Sequence, residues 1–529
     1  MNEPALTNVT RQMNQTGPKF LGHPVGLFLL FFVEMWERFS YYGMRALLVL
    51  YLVRHANEGG RGWQKETADG LYGWYTGMAY LLPIFGGLIA DKIIGTHRSL
   101  IVGATVISLG HIMLAISGIG GLGQNNLGMS LFITGLVLIV VGTGHFKPNV
   151  SVMVNRLYPV GDPRQDGAFT IFYMGINVGA FIGPLICGYL GEKIGWHWGF
   201  GAAAVGMITG LIAYIAIRPK LLPGIGEGPK ERQGYAFFIG VASVAIALLV
   251  GAMYHYGVLG SLGAGFDWFV GLAPTWILIG FIALILAMCA WFVAIQKKGD
   301  GGPVACILVF VLFNAVFWLA YEQAGSSLNH FADEMTNLHI GSWEMPASWF
   351  QSVPALMVVV LAPLFAALWI FLARRGRNPS QPIKLALGLF LVGGGYVFMV
   401  IGSNGALPKS HSASMFWLTM TYLMHTFGEL CMSPTGLSFV TKVAPVKSVS
   451  LLMGIWFLSN AVANKVGGQV AGKVDAIASG QIVLPWAGWF AKESQAPFFL
   501  FFVILSVGAG VVMLLLTPLL KKLLGGREK

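Results

Sequence analysis

Long apolar stretches alternate with short polar segments along the whole chain. Each stretch has about 20 residues or more, the length that an α-helix needs to cross the hydrocarbon core of a bilayer. Backbone polar groups must be satisfied internally in lipid, and the stretches lack the alternation of a membrane β-barrel, so we expect transmembrane helices. The fourteen predicted spans are residues 24–53, 71–91, 98–118, 128–154, 167–190, 197–217, 235–257, 268–295, 303–325, 349–372, 383–402, 413–441, 449–472 and 496–520.

The composition excludes a water-soluble enzyme of this size. The chain has 529 residues, of which 56% are hydrophobic and 10% are charged, whereas soluble domains carry about 25% charged residues. The same apolar content excludes a disordered chain. We therefore predict an all-α membrane protein.

The positive charges are distributed unevenly between the two sets of loops. With the N-terminus placed in the cytoplasm, 22 of the 33 Lys and Arg residues fall in inner segments, seven in outer loops and four within spans. The positive-inside rule then predicts an even number of spans with both termini cytoplasmic. We expect a multi-pass protein of the plasma membrane, in bacteria the inner membrane. The net charge of +11 is explained by this orientation, so we expect no nucleic acid as a partner.

A basic loop at residues 218–234 divides the chain, with six spans before it, a two-span hairpin after it and six more spans to the end. Two bundles around a midplane site are a common transporter plan. The loop sequence GGLIADKIIGTHR at 86–98 resembles a signature of the major facilitator superfamily. The predicted domains are an N-tail (1–23), a six-helix bundle (24–218), a linker with the inserted hairpin (219–302), a second six-helix bundle (303–520) and a C-tail (521–529).

Ionisable residues lie within the predicted spans. Each costs about 2.5–3.5 kcal/mol at mid-bilayer on insertion scales, so a purely structural origin does not explain the set. A satisfied structural pair remains an alternative for any one of them. The eight residues are Glu34, Glu37, Arg38, Arg45, Lys147, Glu322, Glu429 and Lys465.

Span 1 carries a polar stripe. At 100° per residue, Glu34, Arg38, Tyr41 and Arg45 fall within about 60° of one another. The stripe is roughly 16 Å long and must face a wet cavity or other charged helices. An intrahelical Glu–Arg pair explains only Glu34 and Arg38.

The depths of the remaining charges suggest partners. Arg45 and Glu322 are both expected near the outer side, and Lys147 and Glu429 near mid-depth, with one member of each pair in each bundle. An Arg45–Glu322 pair could latch the outer entrance. A Lys147–Glu429 pair could be broken by a proton or by a charged substrate, which is what alternating access requires.

Polar and aromatic residues share faces on two further spans. Tyr173 and Asn177 are four residues apart on span 5, and Trp318 precedes Glu322 by four on span 7. Such faces suit a ligand of mixed chemistry, and helix packing is the alternative for each aromatic residue.

Five sequence segments together resemble the proton-dependent oligopeptide transporter (POT) family of the major facilitator superfamily. The first, EMWERFSYYG at 34–43, looks like the family's ExxERFxYYG motif. The resemblance implies a symporter that imports di- and tripeptides with protons, with two six-helix bundles and an extra hairpin. The other four segments are HFKPNV at 145–150, FTIFYMGINVGA at 169–180, YEQAGSS at 321–327 and FGELCMSPTGLS at 427–438.

The resemblance also implies roles for individual residues. Arg38 and Lys147 would face the peptide carboxylate, and Glu429 with Asn177 would face the α-amine. Arg45–Glu322 and Lys147–Glu429 would be gating pairs. The proton-coupling residues would be Glu34, Glu37, Glu322 and Glu429. The substrate-binding residues would be Arg38, Tyr41, Tyr42, Tyr80, Lys147, Tyr173, Asn177, Asn314, Trp318, Gln351, Glu429 and Trp456.

Span 8 departs from the family pattern. Pro354 follows Ser-Val where the family usually has Asn, a residue that commonly contacts the peptide terminus. Gln351 or Asn314 could replace that contact, so the sequence leaves the preferred peptides open.

Other function classes lack their motifs. The sequence has no ATP-binding P-loop, its GxGxxG at 118–123 joins two spans, and its eleven histidines show no metal-ligand spacing. We expect a functional monomer in the bilayer that is not an enzyme and needs no cofactor or metal. The main alternative is a carrier of the same fold for a non-peptide or peptide-like solute, such as nitrate or a drug.

Overall fold

Helices dominate the structure. In the part of the chain that the structure describes, strands are confined to two short hairpins, Lys19–Phe20 with His23–Pro24 and His339–Ile340 with Trp343–Glu344. The prediction of an all-α protein is confirmed. The computed structural model describes residues 18–159, 161–232, 234–261, 275–297, 299–404, 412–445 and 447–527. Most of the predicted N-tail, the end of the C-tail and the connection within the hairpin lie outside these residues.

Each predicted span overlaps one helix of 20 or more residues. Ten stretches of the described residues are long and apolar enough to cross a membrane, and the total of fourteen spans remains a prediction. The helices are α1 (Val25–Val53), α2 (Lys65–Ile89), α3 (Thr96–Ser117), α4 (Asn126–Arg156), α5 (Gln165–Tyr189), α6 (Trp196–Leu221), α7 (Tyr235–His255), α8 (Thr275–Ala294), α9 (Gly301–Tyr321), α10 (Ser327–Glu334), α11 (Ser352–Arg374), α12 (Gln381–Asn404), α13 (Met415–Val443), α14 (Val449–Ala471), α15 (Val474–Ala478) and α16 (Ala496–Leu524).

The chain forms two compact units. The first consists of the described residues of Met1–Ala252 together with Ala324–Asp333 and Leu338–Val359. The remaining described residues form the second unit. The domain boundaries expected from the sequence stay a prediction.

Glycines allow close helix packing in the first unit. A methyl group on Gly179 of α5 would lie 2.9 Å from the Cβ atom of Arg38 on α1. On α3, a methyl group on Gly103 would lie 2.7 Å from the carbonyl oxygen of Gly142 on α4. Small residues let membrane helices approach backbone to backbone, and here they bring α5 against the charged stretch of α1.

Two segments from the later part of the chain pack into the first unit. Glu192 accepts hydrogen bonds from the backbone N–H groups of Ala347 and Ser348, over 2.9 and 3.0 Å. These are the first two amides of a 3₁₀ helix, Ala347–Gln351, which lack intrahelical partners. The carboxylate therefore caps this helix and fixes the start of α11.

The second unit contains a stack of aromatic side chains. Tyr396 of α12 is stacked on Phe502 of α16, with ring centroids 4.9 Å apart, and its hydroxyl donates to the carbonyl oxygen of Ala320 over 2.6 Å. This bond ties α12 to the last turn of α9, the helix that carries several predicted site residues.

Candidate functional site

The charged residues of α1 form a buried cluster in the first unit. Arg38 Nε donates to Glu34 Oε1 over 2.8 Å and also lies 2.8 Å from Glu37 Oε2. Only 2% of Glu34, 1% of Glu37 and 5% of Arg38 is exposed. The intrahelical Glu34–Arg38 pair considered from the sequence is present. One guanidinium serves two carboxylates, so these three side chains, when all are ionised, carry one negative charge in excess. The Lys147 ammonium group is close enough to attract Glu37 electrostatically.

Aromatic rings surround this cluster. Tyr41 is stacked on Tyr75 of α2 at 6.1 Å between ring centroids and makes an edge contact with Tyr42 at 5.2 Å. The Arg38 guanidinium carbon lies 5.8 Å from the centroid of the Tyr41 ring, within the range of cation–π attraction. The predicted residues Tyr41 and Tyr42 therefore adjoin the charged cluster.

Lys147 contacts one of the predicted aromatic residues. Its ammonium nitrogen lies 4.1 Å from the centroid of the Tyr80 ring. The two side chains come from α4 and α2, which pack closely where Gly86 contacts the carbonyl group of Gly144. The structure thus pairs two residues that the sequence places 67 positions apart.

Asn177 lies one helical turn after Tyr173 on α5, as predicted from the spacing. Its side-chain amide donates to the Tyr173 carbonyl oxygen over 2.9 Å, and the Tyr173 side chain is among the exposed aromatic residues. The two residues share the helix that packs against α1 at Gly179.

Arg45 is held by tyrosines. Its Nε donates to the Tyr72 hydroxyl over 2.6 Å, and its guanidinium lies 5.8 Å from the Tyr42 ring centroid. Arg45 belongs to the first unit and Glu322 to the second. The same division separates Lys147 from Glu429, and both gating pairs stay predictions.

The second unit carries Glu429 on α13. The Tyr321 hydroxyl lies 2.5 Å from Glu429 Oε2. Tyr321 is the last residue of α9, and Glu322 begins the 3₁₀ turn Glu322–Gly325 that follows. α9 therefore ends at two consecutive residues with polar groups, Tyr321 and Glu322.

Asn314 and Trp318 are joined in the same unit. The Trp318 indole nitrogen donates to Asn314 Oδ1 over 3.1 Å, and Asn314 Nδ2 donates to Ser459 Oγ and Asn460 Oδ1 over 2.8 and 2.6 Å. Both amide hydrogens of Asn314 are therefore engaged. Ser459 also donates to the carbonyl oxygen of Trp456 over 2.7 Å, which connects a third predicted residue to this network.

The side-chain amide of Gln351, unlike that of Asn314, has a nitrogen without a hydrogen-bond partner among the described residues. That nitrogen, Nε2, is buried. A buried amide nitrogen without a partner costs free energy unless a ligand or water satisfies it. Of the two residues suggested as replacements for the missing Asn of span 8, Gln351 is the one with an available donor.

Three residues with buried or short polar contacts had no role in the sequence interpretation. Tyr321 stands inside a quoted motif, but nothing in its spacing indicated a bond to Glu429, 108 residues away. Asp69 and His330 form a buried pair, with Oδ1 and Nε2 3.0 Å apart. Neither stood out, because Asp69 precedes the predicted span at 71–91 and His330 follows the one at 303–325. Among the described residues, no three His, Cys, Asp or Glu side chains are grouped for a metal ion.

Comparison with known proteins identifies the family. The sequence model of the POT family (PTR2) matches residues 97–487. The chain belongs to the POT family. It is 33% identical to a di-/tripeptide transporter of Lactococcus lactis subsp. cremoris over 529 residues, covering 97% of this chain and 99% of the relative. It is 38% identical over 526 residues, 98% of each chain, to the uncharacterized transporter YclF of Bacillus subtilis (strain 168).

The structure agrees with this assignment. The crystal structure of a peptide transporter POT in complex with sulfate superposes with a TM-score of 0.77 at 33% identity, covering 97% of this chain and 99% of that one. The predicted major facilitator superfamily fold is confirmed. The protein is a multi-pass membrane transporter of the POT family.

Proposed function

We propose that this protein is a symporter that imports di- and tripeptides together with protons by alternating access. The relatives named as peptide transporters support the substrate class. The observation that carries the coupling to protons is the cluster of Glu34, Glu37 and Arg38, in which two buried carboxylates share one guanidinium.

The charges suit a zwitterionic substrate. Arg38 and Lys147 in the first unit are cations for the peptide carboxylate, and Glu429 in the second, with Asn177, is an acceptor for the α-amine. A zwitterion needs opposite charges, while variable peptide side chains need adaptable apolar walls. Aromatic residues supply such walls with little loss of conformational entropy. The residues proposed for them are Tyr41, Tyr42, Tyr80, Tyr173, Trp318 and Trp456.

Protons enter the cycle at carboxylates within the helices. Charges buried in the membrane are costly unless paired. Two carboxylates share the Arg38 guanidinium in the α1 cluster, so one of them is a site that a proton can neutralise. Glu34 and Glu37 are the first candidates, and Glu322 and Glu429 complete the proposed set. Arg45–Glu322 and Lys147–Glu429 are the proposed gating pairs. The proposed unit of function is a monomer in the inner membrane with both termini cytoplasmic.

The test uses purified protein in liposomes with an inward proton gradient and labelled dialanine. Glu37→Gln should abolish gradient-driven accumulation but retain exchange of dialanine at equal pH, because exchange needs no net proton movement. Glu429→Gln should impair both, since it removes the proposed acceptor for the amine. Glu344→Gln is the matched control: Glu344 is exposed and pairs with Lys193 over 2.8 Å at the surface.

Failure of the wild type to accumulate dialanine, with no competition from any di- or tripeptide, would contradict the peptide assignment. A carrier of the same fold for a peptide-like or inorganic solute would then be the better interpretation. Equal accumulation by the wild type and Glu37→Gln would contradict the role of the α1 cluster.

A further inference from the structure

Tyr321 makes a short hydrogen bond to the proposed amine acceptor. Its hydroxyl oxygen lies 2.5 Å from Glu429 Oε2. An ionised carboxylate can only accept, so the phenol is the donor. Charge-assisted O–H···O bonds have this length and are about twice as strong as neutral ones.

The Tyr321 ring is fixed by its neighbours. It is stacked on Phe317 with centroids 5.7 Å apart, meets Trp318 edge-on at 5.2 Å and contacts His425 at 6.0 Å. Trp318 is in turn bonded to Asn314. Rings on several sides leave the phenol few alternative orientations, so the direction of its O–H group is set by packing.

A glutamate side chain rotates about three bonds and must be ordered when it binds a ligand. Ordering a flexible side chain in advance reduces the entropic cost of binding. A rigid donor beside the carboxylate supplies that order.

We propose that Tyr321 is a positioning residue that fixes the Glu429 carboxylate for recognition of the peptide α-amine. Tyr321 bonds Glu429 Oε2, and we assign the amine to the other oxygen, Oε1. This inference rests on the proposed function, since it requires that Glu429 meets the amine of a peptide. A purely structural role for Tyr321 is the alternative, and the two differ in what happens to ligands that have no amine.

The test compares two ligands that differ only in the amine. Dialanine and propionyl-alanine, which is dialanine without its amino group, are titrated into purified protein, and apparent Kd values are taken from ligand-induced thermal stabilisation. Tyr321→Phe keeps the ring and removes the hydroxyl. It should weaken dialanine binding about tenfold, the order expected for a lost bond to a charged group, while the Kd of propionyl-alanine stays within about twofold.

Tyr396→Phe is the matched control. It also deletes one phenol hydroxyl with a short bond, 2.6 Å to the Ala320 carbonyl oxygen, and its ring contacts His425 at 4.9 Å. Tyr396 does not bond Glu429. The Kd of propionyl-alanine divided by the Kd of dialanine should therefore equal the wild-type ratio, even if the protein loses stability. Glu429→Asp is a second variant of the pair: its carboxylate is drawn back by one methylene group, so it should reduce the ratio as Tyr321→Phe does.

An unchanged ratio in Tyr321→Phe would overturn the inference and leave the proposed function intact. An equal loss in Tyr396→Phe would also overturn it, because general disturbance of the ring cluster would then explain the effect. Absence of dialanine binding in the wild type would contradict the proposed function itself, and the inference would fall with it.

Discussion

The Asp69–His330 pair should be among the most stabilising polar contacts of the first unit. Asp69 lies near the start of α2 and His330 in α10, and their side chains are 0% and 1% exposed. Oδ1 of Asp69 lies 3.0 Å from His330 Nε2, while Oδ2 is buried with no hydrogen-bond partner among the described residues. Replacing His330 by Ala would therefore remove the hydrogen-bonding group at Oδ1 and leave the carboxylate buried without it.

The expected cost follows from burial. Removing one partner of a buried pair costs about 3–5 kcal/mol, because an uncompensated charge remains. The Lys193–Glu344 pair is a contrast in the same unit: its side chains are 28% and 51% exposed, and exposed pairs contribute about 0–1 kcal/mol. At about 2 °C per kcal/mol, the low end for large domains, His330→Ala should lower the Tm by about 6–10 °C. Lys193→Ala should lower it by less than about 2 °C.

The assay is thermal unfolding of purified protein in a mild detergent at one heating rate, followed by tryptophan fluorescence. The double variant Asp69→Asn/His330→Ala tests the cause. Because it removes the orphaned charge, its Tm should recover at least half of the loss. Equal shifts for His330→Ala and Lys193→Ala would refute the argument from burial. A double variant no more stable than His330→Ala would refute the assignment of the cost to the carboxylate.

Two further predictions concern helix packing and pH. Gly179→Ala should reduce both Tm and dialanine uptake, because the added methyl group meets the backbone of α1 at Met35. Gly508→Ala is the control: its new methyl group has nothing within 4 Å, so the substitution should be neutral or stabilising. In the loop before α5, the hydrogen bond from Arg164 lowers the pKa of Asp162 to about 2. This depressed pKa means that the pair stabilises the loop above the unfolded value of about 3.9 and loses its effect as the pH falls towards 2. Hydrogen exchange of the Arg164 amide, which donates to Asp162 over 2.9 Å, should therefore stay protected at pH 4, and protection lost already at pH 5 would contradict this assignment.

Local periodicity predicted much of the structure. The apolar stretches predicted the helices because a membrane leaves the backbone few alternatives. The Glu34–Arg38 contact follows from a separation of four residues on one helix, and the same spacing places Asn177 beside the Tyr173 carbonyl group.

Contacts between distant segments were beyond sequence reasoning. The bond between Tyr321 and Glu429 depends on how α9 packs against α13, and no periodicity within either helix specifies the partner. The Asp69–His330 pair joins residues 261 positions apart. The order of the spans along the chain gives no sign that residues 324–333 pack with the first unit, because this depends on side chains such as Asn329, which donates to the Ala46 carbonyl oxygen over 3.0 Å.

Joint movement of peptide and protons is the central claim, and proton entry driven by peptide tests it most directly. Proteoliposomes hold a pH-sensitive dye inside, with equal pH on both sides and the membrane potential clamped at zero. Adding dialanine outside should acidify the lumen, and free alanine should not. Glu37→Gln, which we expect to exchange peptide although it lacks the proposed proton site, should give no acidification. Entry of labelled dialanine into wild-type liposomes without any change in luminal pH would contradict the account.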